Sequence, residues 1–172
     1  MPNEDSIKKK IEEQTKIIKG GIGGKTKTVS QTPTVTVGAY SALDAIGGLL
    51  TFADIFNAQG GTGVLHTLII TDLAKQSAAM ELWLFDRTFT ADTDNAVFDV
   101  EDTDLPNCIG VIPIATADWF ASNDSSVACV RNIGLVATAM NGATLYGQLK
   151  AVGTPTYASV SDLTIKLVAL QD

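Results

Sequence analysis

From Val35 onward, hydrophobic positions recur with period two and long helical patterns are absent. Val35 and Val37 share one face of a short strand, and Leu49, Leu50 and Phe52 suggest a second. Val64 to Thr71 forms a third, closed by Asp72. In Met80 to Phe85, Leu82 and Leu84 point one way and Trp83 and Phe85 the other. Two apolar faces predict a central strand or one at an interface. Ile109 to Ala115 reads as a strand whose Pro113 implies an edge or a bulge. Val127 to Ala139 is the longest candidate, Leu145 to Ala151 follows the turn pair Asn141-Gly142, and Leu163, Ile165, Leu167 and Ala169 alternate against Thr164 and Lys166. These eight segments predict an all-β fold, an antiparallel β-sandwich of jelly-roll type, with a closed barrel as the alternative. Residues 39–48 and 73–79 have room for a helical turn each.

Residues 5–19 follow a different period. Ile7, Ile11 and Ile18, with Gln14, make a two-heptad seam on one short helix. Asp5 or Ser6 is placed to cap it, and Gly20-Gly21 and Gly23-Gly24 to end it. Isoleucine at both seam positions favours trimers, but two heptads cannot hold three chains alone. The seam therefore needs a partner, an oligomeric body, or its own domain to dock on. Glycine, Ser/Thr and Pro33 make residues 20–34 a flexible linker on this reading. The expected organisation is a basic arm over 1–34 and a β-domain over 35–172.

Charge sharpens that division. Residues 1–34 carry seven lysines against four carboxylates, so the remainder of a chain with net charge −7 is strongly acidic. An acidic body argues against nucleic acid as a partner. Charged residues are 18 % of the chain, below the about 25–35 % of an ordinary soluble surface. That deficit fits either a surface covered by partners or one rich in Ser and Thr. No secretory leader and no membrane span is read in the sequence, and Cys108 and Cys129 sit in apolar segments as small buried hydrophobes. A reducing cytosol, or a particle assembled in it, is the expected setting.

The chemistry-bearing motifs fail one by one. Gly24-Lys25-Thr26 lacks the earlier glycine of a phosphate loop, since Lys19 holds that position, and Gly60-Gly61-Thr62-Gly63 leads into a strand. His66 is the single histidine, expected on a strand face with Val64, Leu68 and Ile70. One histidine and two apolar-context cysteines leave no soft-metal site, no cofactor and no triad. Six carboxylates crowd residues 92–104 (Asp92, Asp94, Asp99, Glu101, Asp102, Asp104), without the glycine of a calcium loop. They read as a solvated loop, with optional calcium or a glycosidase pair as lesser alternatives. No enzymatic activity is expected.

Several stretches resemble a family of small tailed-bacteriophage virion proteins. They include Asp44-Ala45-Ile46-Gly47-Gly48-Leu49-Leu50-Thr51-Phe52, Leu84-Phe85-Asp86, Asp94-Asn95-Ala96-Val97-Phe98 and Leu145-Tyr146-Gly147-Gln148-Leu149. Ile109-Gly110-Val111-Ile112 and Thr154-Pro155-Thr156-Tyr157 add to it, and the likeness spans about residues 38–172. It implies a head-associated structural protein, such as a capsid decoration or cementing protein on the outer shell, built in the host cytoplasm and binding the major capsid protein. The expected assembly is a homotrimer, with no membrane partner. Its expected contacts are Ile7, Ile11 and Ile18 on the seam, Lys8 and Lys9 beside it, and Trp83 and Phe85 on the second face of their strand. The alternative is a glycan- or host-surface-binding module using Trp119, Phe120 or Tyr157.

Overall fold

The computed structural model describes residues 3–21, 25–57 and 60–171, without the side chains of 13–21. Among the described residues, one helix, α1 (Glu4–Gly21), precedes eleven strands. These are β1 (Lys25–Gln31), β2 (Gly38–Ala39), β3 (Ala45–Phe52), β4 (Thr62–Asp72), β5 (Met80–Phe85) and β6 (Cys108–Ile114). The chain continues with β7 (Trp119–Ala121), β8 (Ser126–Thr138), β9 (Leu145–Ala151), β10 (Thr156–Tyr157) and β11 (Leu163–Gln171). Short 3-10 turns cover Leu105–Asn107 and Thr116–Asp118.

Two antiparallel sheets form the body, in the orders β1-β11-β4-β8-β7 and β3-β9-β5-β6, and β2 and β10 pair as a small ribbon. Setting aside the short β7, the eight principal strands split into two fours. Apart from the β5–β6 pair, which stays in one sheet, successive principal strands cross between the fours in the winding of a jelly roll, as the sequence predicts. The core lies between the sheets, where Leu65, Leu68 and Ile70 of β4 and Ile165 and Leu167 of β11 meet Phe52, Leu82 and Leu149 of the other sheet, all buried. β5 is central, as its two apolar faces predict, and the Pro113 strand β6 is an edge.

Five expectations change, beginning with Val35 and Val37, which stand in no strand and share no face, Val35 being buried and Val37 57 % exposed. The linker predicted over 20–34 is a strand from Lys25: β1 runs antiparallel to β11 from Lys25↔Gln171 to Gln31↔Ile165. The sandwich thus begins about ten residues before Val35, since β1 is the first strand of the jelly roll. Gly23-Gly24 and the Ile18 side chain lie outside the described residues. The helix is capped two to three residues earlier than expected, by Asn3, whose Oδ1 accepts the Ser6 N–H at 2.9 Å. Ala45–Phe52 is a strand through a bulge, where a helical turn had room. Gly47 sits there at φ +68, and a Cβ on it would lie 2.6 Å from Cβ of Pro33. Finally, a bulge between Leu65 and Thr67 shifts the parity of β4, so Leu68 and Ile70 face the core while His66 does not.

Candidate functional site

The two sheets meet their surroundings differently. The outer face of the four-stranded sheet carries Trp83, Phe85, Tyr146 and Gln148, and the chain covers it itself. The 86–107 excursion between β5 and β6 folds back over it, placing Phe89, Phe98 and Val100 on Phe85 and Trp83. Phe85 stacks on Phe89 with centroids 3.9 Å apart, and Trp83 meets Phe98 at 5.2 Å. Phe85 is fully buried within one chain, so its expected oligomer contact is corrected, while Trp83 is half-buried and keeps one side on the cleft at the edge of the cover. The second apolar face is real, and its occupant is the chain's own excursion.

Polar clamps hold that cover down. Buried Gln148 donates from Nε2 to the Gly47 and Asp92 carbonyls at 2.8 and 2.7 Å, and its Oε1 accepts the Asp92 N–H at 3.0 Å. Asp94 accepts from Tyr40 Oη, Thr36 Oγ1 and Gly47 N at 2.6–2.7 Å. Asp92 accepts from Asp99 N, and Asp104 from Thr90 N. Three of the six crowded carboxylates are therefore anchors for backbone N–H groups. The sequence signal that could have found them is weak, because Asp94 binds residues 47 to 58 positions away. Among the described residues no three His, Cys, Asp or Glu side chains group to hold a metal ion.

At the edge of the cover lies a cleft of about 260 Å³, lined by Leu43, Trp83, Val97, Phe98 and Lys150 among others. Lys150 Nζ sits 3.0 Å from Glu81 Oε2 and 5.7 Å from the Trp83 ring centroid. Burial alone would raise the Glu81 carboxyl; bonds from Trp83 Nε1 and Lys150 outweigh it and hold the group below its usual value. The cleft is smaller than the roughly 300–1,000 Å³ of usual ligand pockets. Burial pushes the Cys108 thiol up, away from nucleophilic chemistry.

Among the described residues, the outer face of the five-stranded sheet has no such cover from its own strands' connections, and its register can be read row by row. Thr26, Leu170, Val64 and Val136 lie abreast, then Thr28, Val168, Thr67 and Arg131. Ser30, Lys166, Ile69 and Cys129 follow, then Thr164, Thr71, Val127 and Phe120. Val136 is 72 % and Phe120 60 % exposed. No carboxylate stands in these rows; the charged side chains are Arg131 and Lys166, with half-buried His66 at the bulge. Antiparallel sheets facing water usually alternate apolar-in and polar-out, and this one presents aliphatics and threonine on its outer side.

The other expected contacts are scattered. Ile7 and Ile11 are 45 and 56 % exposed on α1, and Lys8 and Lys9 beside them are exposed. Of the aromatics proposed for a glycan site, Trp119 is buried with its Nε1 bonded to the Ala78 carbonyl, Tyr157 is buried, and Phe120 alone is exposed. Among the described residues no helix is long and apolar enough to cross a membrane.

No family model matches the chain, and no curated protein matches it. Among solved structures, a chain titled Desmodium yellow mottle tymovirus is similar over 87 % of this chain and 82 % of its own length, at 11 % identity and a TM-score of 0.27. A likeness that low carries no argument, and the jelly roll stands on the strand order and register alone.

Proposed function

We propose that the chain is a structural protein of a tailed-bacteriophage virion, a decoration or cementing protein that binds the outer head shell and performs no catalytic step. The observation that carries this reading is the carboxylate-free outer face of the five-stranded sheet, where aliphatics alternate with hydroxyl side chains over four rows, a surface suited to a protein partner rather than a small ligand. The jelly roll agrees with it, because capsid proteins use that architecture, although lectins and cupins do too and fold alone fixes no function. The proposed partners are further copies of the chain, with a trimer favoured by the Ile7–Ile11–Ile18 seam, and the major capsid protein, in a particle assembled in the host cytoplasm. Lys8 and Lys9 on α1 give the arm a route to an acidic shell surface that added salt would screen.

The test is co-sedimentation of purified protein with shells that lack it, together with cryo-electron microscopy of the intact particle. Saturable binding, and density on the outer head, are the expected results. No binding to shells combined with density on a tail fibre would overturn the reading in favour of a host-surface module.

A further inference from the structure

We infer that the outer face of the five-stranded sheet is a self-association surface, and that its occupant is the 86–107 excursion of a second copy. This deepens the homo-oligomer part of the proposed function and rests on it, but not on a place in the virion. The argument starts from charge. On a chain of net charge −7 the face carries Arg131 and Lys166 in its rows and no carboxylate. The excursion carries the complement, with Asp99, Glu101 and Asp102 all exposed. Apolar groups match as well. Val97 and Leu105 of the excursion are 66 and 41 % exposed, against 60 % for Phe120 and 72 % for Val136 on the face.

Geometry then decides who can supply the contact. The excursion lies on the four-stranded sheet, and the bare face belongs to the other sheet, so the whole sandwich stands between them. One chain cannot bring them together; two copies can. Pairing two bare faces would instead set Arg131 and Lys166 of both copies against each other. A contact between two different surfaces is heterologous and leaves one of each unused, so it closes as a ring or continues as an array. Three copies is the ring that the α1 seam also favours.

The experiment is sedimentation equilibrium of the full-length chain, two charge variants and their mixture. Wild type should form a closed oligomer that weakens as salt rises. R131E/K166E should lose association by roughly tenfold or more, and so should D99K/D102K. An equimolar mixture of the two should regain a contact of one acidic face with one basic excursion. If R131E/K166E melts below wild type, Val136→Asn carries the same test at an exposed position. A monomeric wild type overturns the inference, as does an R131E/K166E oligomer of unchanged affinity. Dissolution of the oligomer by deleting residues 1–21, with the charge variants unaffected, overturns it in favour of the helix seam. An oligomer that assembles as stated but ignores shells leaves this contact standing and removes the virion reading.

Discussion

The two outer faces of this sandwich start from similar material and end differently. On the four-stranded sheet, Trp83, Phe85 and Tyr146 are aromatic, and 22 residues of the same chain fold back to bury them. On the five-stranded sheet, Val64, Ile69, Val168 and Val136 are aliphatic and spaced by threonine, with no comparable segment over them among the described residues. The difference lies in side-chain size and in polar anchoring. Aromatics bury enough area to repay the ordering of a long connection, and Gln148, Asp92 and Asp94 fix its backbone. Threonine-spaced aliphatics tolerate water while still offering area to a partner.

The largest test of that contrast compares two phenylalanines. Phe85→Ala removes a fully buried ring from under the cover and should cost about 3–5 kcal/mol. Phe120→Ala, at a position 60 % exposed, should change the stability of the isolated chain by about 0.5 kcal/mol or less. Urea denaturation at a concentration where the chain is monomeric reads both. Equal costs would mean that the five-stranded face is covered within one chain after all.

How much of this the sequence discloses depends on where each residue's partner lies. β4, β5, β9 and β11 are legible because each pattern fits one short window: Ile165 and Leu167 alternate against Thr164 and Lys166, and Met80–Phe85 is apolar on both faces apart from Glu81. β1 is not, since Lys25–Gln31 has a single aliphatic, Val29, and its strand character comes from pairing with β11 some 140 residues later. The apolar second face of β5 is legible as a face needing cover. What covers it is not, because a partner copy and a folded-back connection leave the same mark on β5. The carboxylates of 92–104 read as solvated for a similar reason: their N–H donors are brought in by tertiary folding.

The clamps give effects of intermediate size. Gln148→Ala leaves the Gly47 carbonyl and both backbone groups of Asp92 without that side chain, and should cost about 2–3 kcal/mol. Thr28→Ala, exposed on the other sheet, is the matching control and should cost about 0.5 kcal/mol or less. Tyr40→Phe takes one donor from Asp94 and the acceptor from the Thr36 N–H, for about 1–2 kcal/mol. Hydrogen exchange at Asn95 and Phe98, whose N–H groups bond Ala45 and Leu43, should speed up in Gln148→Ala before global unfolding. Unchanged protection there would show that apolar packing alone holds the excursion.

A smaller effect depends on pH. The Glu81 carboxyl is held below its unfolded value, so its bonds to Trp83 and Lys150 contribute stability above about pH 4.3, the ordinary carboxylate value. That contribution is lost as pH falls through the lower, folded value. Lys150→Met keeps the aliphatic stem beside Trp83 and removes the charge. It should cost about 1 kcal/mol or less near neutrality, and the gap from wild type should close in acid. A gap that stays constant from pH 7 to 3 would mean that lost packing at the edge of the cover, rather than the ion pair, sets the cost.

The smallest expected effect separates the clamp from the mere burial of tyrosine. Tyr40 and Tyr157 lie edge to face with ring centroids 5.7 Å apart, and both are almost wholly buried. Tyr40 gives its hydroxyl to Asp94 of the excursion, whereas the Tyr157 hydroxyl has no hydrogen-bond partner among the described residues. Burial pushes both phenols up, so neither ionises near neutral pH. An unpaired buried hydroxyl costs desolvation and returns nothing, so Tyr157→Phe should leave stability unchanged within about 0.5 kcal/mol or raise it slightly. Thermal unfolding of Tyr157→Phe beside Tyr40→Phe measures the difference directly. If the two substitutions cost the same, the bond from Tyr40 to Asp94 is not part of what secures the cover, and the contrast between the faces reduces to aromatic packing.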